Sequence, residues 1–285
     1  MRRELARQDL RKRDLTPQRT TMYFRRLAQI PNPPLHIEGT AMRRIYTSLL
    51  PIAALLSLAC QGKAQNEAPR DTSKAAGESS RQVAGGGVSV KDWTGQIDAN
   101  EAGRGQSLQN AKLANDGAAL HVTTGPAVAY WNPANKASGD YTVKATFTEP
   151  KYMNVNDHPH PYGIFIGGND MGSAQQSYLY CAAYGNGDFI VRGFGPAAFQ
   201  LNGRHGEPNA AVHKAAAVGS PVTQDIAVSV KGDKVQCAIN GAVVGTYNKS
   251  DVVGAGKLKS TDGIYGIRFA HNTDGLVSGL TVTKP

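Results

Sequence analysis

From Val88 to Pro285 the chain predicts an all-β fold, an antiparallel β-sandwich. Three observations carry this. Short runs rich in Val, Ile, Thr, Tyr and Phe recur; Gly, Asn and Asp cluster between them; and no long stretch repeats apolar residues at helical spacing. Short strands separated by tight turns, without alternating helices, stack as two sheets rather than as a parallel sheet under helices.

In chain order, strands are expected at Ala118–Thr123, Val128–Trp131, Tyr141–Thr148 and Tyr162–Gly167. Ser177–Tyr184, Phe189–Phe194, Ile226–Lys231, Lys234–Ile239, Ala242–Tyr247, Tyr265–His271 and Val277–Thr283 follow. Asn115-Asp116-Gly117, Ser138-Gly139-Asp140, Lys231-Gly232-Asp233, Asn240-Gly241, Thr261-Asp262-Gly263 and Thr273-Asp274-Gly275 supply the turns. Asn and Asp hydrogen-bond their own backbone there, and Gly takes positive φ. Trp93 is expected as a core plug holding the first strand. The Ala- and Gly-rich run from Pro196 to Pro221 breaks the rhythm; it reads as a long loop with a short helix or as a flap beside a site.

Gln175–Gly195 is the most informative stretch: two strands joined by Gly185-Asn186-Gly187. A three-residue loop puts Tyr178, Tyr180 and Tyr184 on one face with Asp188, Ile190 and Arg192, and Leu179, Cys181, Ala183, Phe189 and Val191 on the other. The second set is small and apolar enough for core. The first mixes rings with hydrogen-bonding groups, as sugar-binding surfaces do. Trp131 and Tyr162 would extend that face. Arg192 either holds a ligand hydroxyl or carboxylate or pairs with Asp188. A two-residue turn would slip the pairing by one and scramble the division.

Asn154-Val155-Asn156-Asp157-His158-Pro159-His160-Pro161-Tyr162 carries the acid–base and metal candidates. Its prolines hold the chain extended, so His158 and His160 project to one side. Imidazole pairs suit a divalent metal, with Asp157, Asp170, Asp188 or His271 completing the set. A stiff polar loop leading into the next strand is the plain alternative. Gly167-Gly168-Asn169-Asp170 allows close backbone approach by a ligand, or a bulge. Cys181 and Cys237 fall on core-facing strand positions and form either a disulfide or two buried thiols.

The N-terminal region reads differently. Residues 1–44 hold 11 Lys and Arg against 4 Asp and Glu, and the remainder 20 against 18, so the formal net charge of +9 belongs mainly to this leader. A nucleic-acid partner is therefore not expected of the folded part. From Met42, two arginines precede an apolar run from Ile45 to Ala59 and then Cys60, the pattern of an export signal. The run is short of the ~20 residues a spanning helix needs. Residues 1–41 are then an over-called start or a long basic leader, and 42–64 a signal peptide. Cys60 sits where a lipoprotein cysteine would, although Ser57 stands where such signals usually have leucine; cleavage after Ala64 competes. Residues 65–87 are small and polar and read as a flexible linker before the 88–285 domain. Both routes give an exported chain: periplasmic, anchored in the outer membrane, or extracellular in a bacterium.

The motifs S-G-D-Y-T-V-K-A-T-F (Ser138–Phe147), Y-G-I-F-I-G-G (Tyr162–Gly168), the tyrosine hairpin, V-K-G-D-K-V-Q-C-A-I-N-G-A-V-V-G (Val230–Gly245) and G-I-Y-G-I-R-F…S-G-L-T-V (Gly263–Val282) follow one another in an order that resembles the concanavalin A-like lectin/glucanase sandwich. Within it, the 3-keto-disaccharide hydrolase-like domains of secreted bacterial proteins are most similar. The resemblance covers roughly residues 90–285. It implies a jelly-roll of two curved sheets whose concave face holds a saccharide. The E-x-D-x-x-E strand of the glucanases is missing, and Glu101, Glu149 and Glu207 look like isolated turn or loop residues. A retaining pair of carboxylates is thus not expected.

Three functions follow. The first is an exported lectin-like module with a carbohydrate ligand, using the tyrosine face. The second is a glycoside or 3-keto-glycoside hydrolase or lyase using His158, His160 and an acidic partner. The third is an envelope scaffold, which would bury the tyrosines and lack a cleft.

Overall fold

The computed structural model describes residues 80–153 and 159–285; the basic leader, the signal segment with Cys60, most of the predicted linker, and Asp157 and His158 lie outside them. Two sheets make up the described fold. The first runs β1 (Gly87–Val88), β3 (Ala111–Asp116), β4 (Ala119–Thr124), β16 (Asp274–Thr283), β6 (Tyr141–Glu149), β12 (Val222–Lys231), β13 (Lys234–Ile239) and β14 (Ala242–Asn248). The second runs β10 (Ala198–Gln200), β9 (Asp188–Phe194), β8 (Ser177–Ala183), β7 (Tyr162–Asn169), β15 (Gly263–Phe269), β5 (Val128–Ala137) and β2 (Thr94–Ile97), with β11 (Glu207–Pro208) also on β9. Every pairing but β1 with β3 is antiparallel. The fold is the predicted β-sandwich.

Alternation decides which side chains meet between the sheets. From the first sheet come Tyr141, Val143, Ala145 and Phe147 of β6, Ile226, Val228 and Val230 of β12, and Val235, Cys237 and Ile239 of β13. Their alternates face water, where Thr and Ser pair across strands: Thr142 with Ser229 at 2.8 Å and Thr148 with Thr223 at 3.0 Å. Such pairs hold register on a solvated face. The second sheet contributes Tyr162, Ile164 and Ile166 of β7, Leu179, Cys181 and Ala183 of β8, and Tyr265, Ile267 and Phe269 of β15. Phe147, Tyr162 and Phe269 form an aromatic knot with ring centroids 5.9–6.0 Å apart. Cys181 and Cys237 are joined in a disulfide that crosses the core from β8 to β13, with Cα atoms 5.9 Å apart.

The predicted strands are present, six of them longer by one to four residues; Val128–Trp131 is longer by six, Ser177–Tyr184 ends at Ala183, and Tyr265–His271 is shifted to Gly263–Phe269, which leaves His271 beyond the strand. The sequence reading missed β1, β2, β3, β10 and β11. β3 was missed because A-K-L-A-N-D offers only Leu113 as a large apolar residue, yet Ala111 and Leu113 are fully buried. Between Pro196 and Pro221 there is no helix: the segment folds back along the second sheet through β10 and β11. The linker boundary is also earlier than expected. Arg81 donates to the carbonyls of Thr124 (2.8 Å) and Thr273 (2.6 Å), and its own N–H reaches Asn272 Oδ1 at 2.7 Å, so the ordered unit includes residues assigned to the tether. Trp93 packs against the core as expected.

Candidate functional site

The loop Gly185-Asn186-Gly187 closes β8 onto β9. The Tyr184 N–H donates to the Asp188 carbonyl (2.9 Å), the Gly187 N–H to that of Tyr184 (3.3 Å), and Gly187 has φ +98°. The register that follows pairs Tyr178 with Phe194, Tyr180 with Arg192 and Ala182 with Ile190 on the outer face. Cys181 with Val191 and Ala183 with Phe189 point into the core. This is the division that the three-residue loop predicts.

A groove of about 940 Å³ lies over the outer face of the second sheet. Tyr180, Tyr184, Ile190, Arg192 and Phe194 form part of its floor. Pro196–Ala198, Gln200, Arg204 and His205 form one wall, which is the flap reading of that segment. On the other side stand Gln96, Asp98 and the short helix α1 (Ala99–Ala102), with His160 and His271 at the same site.

Three of the residues expected on a stacking surface do not line the groove. Tyr162 is on the opposite face of the sheet, in the core knot, because it pairs with Ala183 and shares that residue's inward orientation. Tyr178 is on the expected face but only 1% exposed, wedged between Phe165 and Phe194 at 5.1 Å from each. Trp131 also faces outward but is covered beside Gly172. Tyr180 and Tyr184 do line the groove, yet they are 5% and 7% exposed, so they offer edges and hydroxyls rather than open ring faces. Burial holds both hydroxyls above their ordinary pKa, so they remain donors.

Asp188 does not pair with Arg192. It accepts from Asn186 Nδ2 at 2.9 Å and so belongs to the turn. Arg192 lies 5.5 Å over the Phe194 ring, and its Nε is buried without a hydrogen-bond partner among the described residues.

Sequence reasoning missed the groove's other guanidiniums, those of Arg104, Arg204 and the buried Arg268. Arg268 of β15 is 5% exposed, donates to Asp98 Oδ2 at 2.6 Å, and faces the rings of Tyr180 (5.8 Å) and Phe194 (5.6 Å). Burial works against its charge, but Asp98, followed by the neighbouring tyrosines, raises its pKa. Its signal was present in G-I-Y-G-I-R-F: alternation with inward Tyr265, Ile267 and Phe269 sends this lone charge to the outer face.

The glutamates are less peripheral than expected. Glu101, in α1, is buried; its Oε2 accepts from Ser80 Oγ (2.5 Å) and its Oε1 from the Ala127 N–H (2.9 Å). Glu149 ends β6 inside the sandwich, where Oε1 accepts the Met153 N–H (2.9 Å) and Oε2 has no partner among the described residues. Burial, with Asp274 adding to it and the Met153 hydrogen bond opposing, pushes the Glu149 carboxyl up to about 7. Glu207 is exposed and isolated from the other carboxylates, but it lies in the short strand β11 rather than in a turn, with Oε1 accepting the Gly203 N–H (2.8 Å).

His160 is buried and meets His271 edge-on with ring centroids 4.5 Å apart; His271 Nδ1 lies 3.9 Å from Glu101 Oε1. Of the suggested partners, His271 therefore does join His160, whereas Asp170 pairs with Lys259. Among the described residues no group of three or more His, Cys, Asp or Glu is arranged to hold a metal ion.

No family model matches the chain, and no curated protein matches it in sequence. Solved structures resemble it in fold. A carbohydrate-binding module from Bacillus subtilis has a TM-score of 0.45 at 9% identity, covering 70% of this chain and 99% of its own. A B. subtilis protein of unknown function with a galectin-like fold has 0.46 at 14%, covering 68% and 90%. An endo-β-1,3-glucanase from Pyrococcus furiosus has 0.42 at 14%, covering 73% and 92%.

Proposed function

We propose that the chain is an exported, lectin-like module that holds a saccharide in the groove over its second sheet. The carrying observation is the groove itself. Its volume of about 940 Å³ is in the range of ligand sites, and its floor joins aromatic edges to the Arg192 guanidinium. Gln96, Gln176 and Gln200 add amide donors and acceptors along it, the chemistry that hydroxyl-rich ligands require. The envelope-scaffold reading expects buried tyrosines, which Tyr178, Tyr180 and Tyr184 are, but also no cleft, and the groove is what counts against it. Export through residues 42–64, with or without lipid on Cys60, belongs to the same reading, and the Cys181–Cys237 disulfide supports an oxidising compartment.

The test is calorimetric titration of the purified protein with a panel of oligosaccharides. Saturable binding that Arg192→Ala and Tyr184→Ala each weaken about tenfold, with the fold intact, supports the reading. Binding indifferent to both substitutions, or silence across the panel, rejects it.

A second reading, turnover of glycosides or 3-keto-glycosides, is favoured by the contact of His160 with His271 beside Glu101 at the groove. General acid–base chemistry needs such a set within reach of the ligand. Product release abolished by His271→Ala, assayed with EDTA and with added divalent metal, would carry the enzyme reading. Binding without product leaves the lectin.

A further inference from the structure

We infer that the saccharide is acidic, bearing a ring carboxylate or a sulfate ester; this rests on the saccharide reading above. The groove's charges are unbalanced in a particular way. The two carboxylates lining it are already engaged by the protein: Asp98 by Arg268, and Glu101 by Ser80 and the Ala127 amide. Three further guanidiniums line it, those of Arg104, Arg192 and Arg204, and among the described residues none of them forms an ion pair.

Arg104 and Arg204 are exposed on the rim, and water solvates them. Arg192 is different. It stands on a strand between cross-strand neighbours Tyr180 and Gln200, over the Phe194 ring and hydrogen-bonded to the Tyr180 side chain, and its buried Nε has no hydrogen-bond partner among the described residues. No carboxylate neutralises this guanidinium among the described residues, so its charge is open to an anionic oxygen in the groove. Such charge-assisted bonds are roughly twice as strong as those to neutral hydroxyls, and the planar fork of arginine matches a carboxylate in two-point contact. The rings of Tyr180 and Tyr184 are too covered to stack broadly on a neutral sugar, which leaves recognition to the polar groups. The unpaired rim cations focus a positive potential onto the same cavity.

The experiment titrates the purified full chain, at low and at moderate salt, with an oligogalacturonate and its carboxyl-reduced counterpart. A sulfated oligosaccharide and its desulfated counterpart form the second arm and separate the two sources of charge. The expected result is at least one acidic probe bound about tenfold or more tighter than its neutral partner. Arg192→Gln should erase that preference, Arg192→Lys should keep part of it, and Lys144→Gln, on the far face of the first sheet, should leave it unchanged. Thermal melting confirms that each variant is folded; if Arg192→Gln is not, Arg192→Lys and Arg204→Gln decide. Equal affinity for acidic and neutral partners overturns the inference while keeping the saccharide reading. An acidic preference that survives folded Arg192 variants overturns it as well. Failure to bind any of the four probes overturns both.

Discussion

On its inner face the β8–β9 hairpin presents Leu179, Cys181, Ala183, Phe189 and Val191 to the opposite sheet; on its outer face it presents Tyr178, Tyr180, Ala182, Tyr184, Ile190 and Arg192. Both sets are largely buried, yet they are buried for different ends. The inner set is sealed by apolar residues and the disulfide. The outer set is covered by flap, loop and α1 segments that leave a groove, and its one charged group, Arg192, is only partly satisfied. Burial alone therefore does not separate core from site. What separates them is charge: the inner set holds no ionised side chain, whereas the outer set sets Arg192 into the lining of the groove.

Four substitutions sharpen or break that contrast. Inside, Phe269→Ala removes a ring from the Phe147–Tyr162–Phe269 knot and is expected to cost about 4 kcal/mol in denaturant unfolding, with any groove binding lost only as far as the fold is lost. A cost under about 1 kcal/mol would mean that the knot is not the centre of the core. Outside, Asp98→Ala leaves the buried Arg268 guanidinium without its counter-charge and should cost about 3 kcal/mol, the signature of a polar rather than an apolar face. If Asp98→Ala melts like the parent, the outer face is solvated more freely than its burial indicates.

Glu149 tests the interior by pH. Its carboxyl is raised from 4.5 to about 7 in the folded chain, so the native state holds the proton more tightly than the unfolded one. Its stabilising contribution is complete below about pH 4.5, falls as pH rises to about 7, and is gone above that, a total of roughly 3 kcal/mol. Glu149→Gln should flatten this part of the profile and melt above the parent at pH 8. Identical pH profiles for the two proteins would contradict it. The smallest effect belongs to Tyr184→Phe, which deletes only a hydroxyl at the groove: under about 1 kcal/mol of stability, but a few-fold loss of saccharide affinity. Unchanged affinity would remove Tyr184 from the contact set.

The fold was largely legible because strand alternation and turn chemistry are local properties. Asn240 and Gly241, at φ +51° and +84°, form the tight turn that their sequence announces, and the Gly185–Gly187 loop sets the hairpin register. The site was legible only as a face. Tyr180, Tyr184 and Arg192 could be assigned to it from spacing, but whether a residue lines a groove or lies under a loop depends on chain segments far away in sequence. Trp131 is covered next to Gly172, and Glu101 is drawn inside by the backbone of Ala127 and by Ser80. The partnership of Arg268 with Asp98 spans 170 residues, and no local pattern shows it. Tyr162 was misplaced because the face was extended to a strand whose pairing phase with β8 could not be read from sequence; its partner Ala183 fixes that phase.

The disulfide also acts as a lock on strand phase. Shifting β8 by one position against its neighbours would swing Cys181 to the groove side, away from Cys237, and turn the tyrosines into the core. The sulfur bridge can close only when the tyrosines face out. In an oxidised, refolded sample, a closed bridge between these two positions consequently marks a molecule whose groove has been built the right way round.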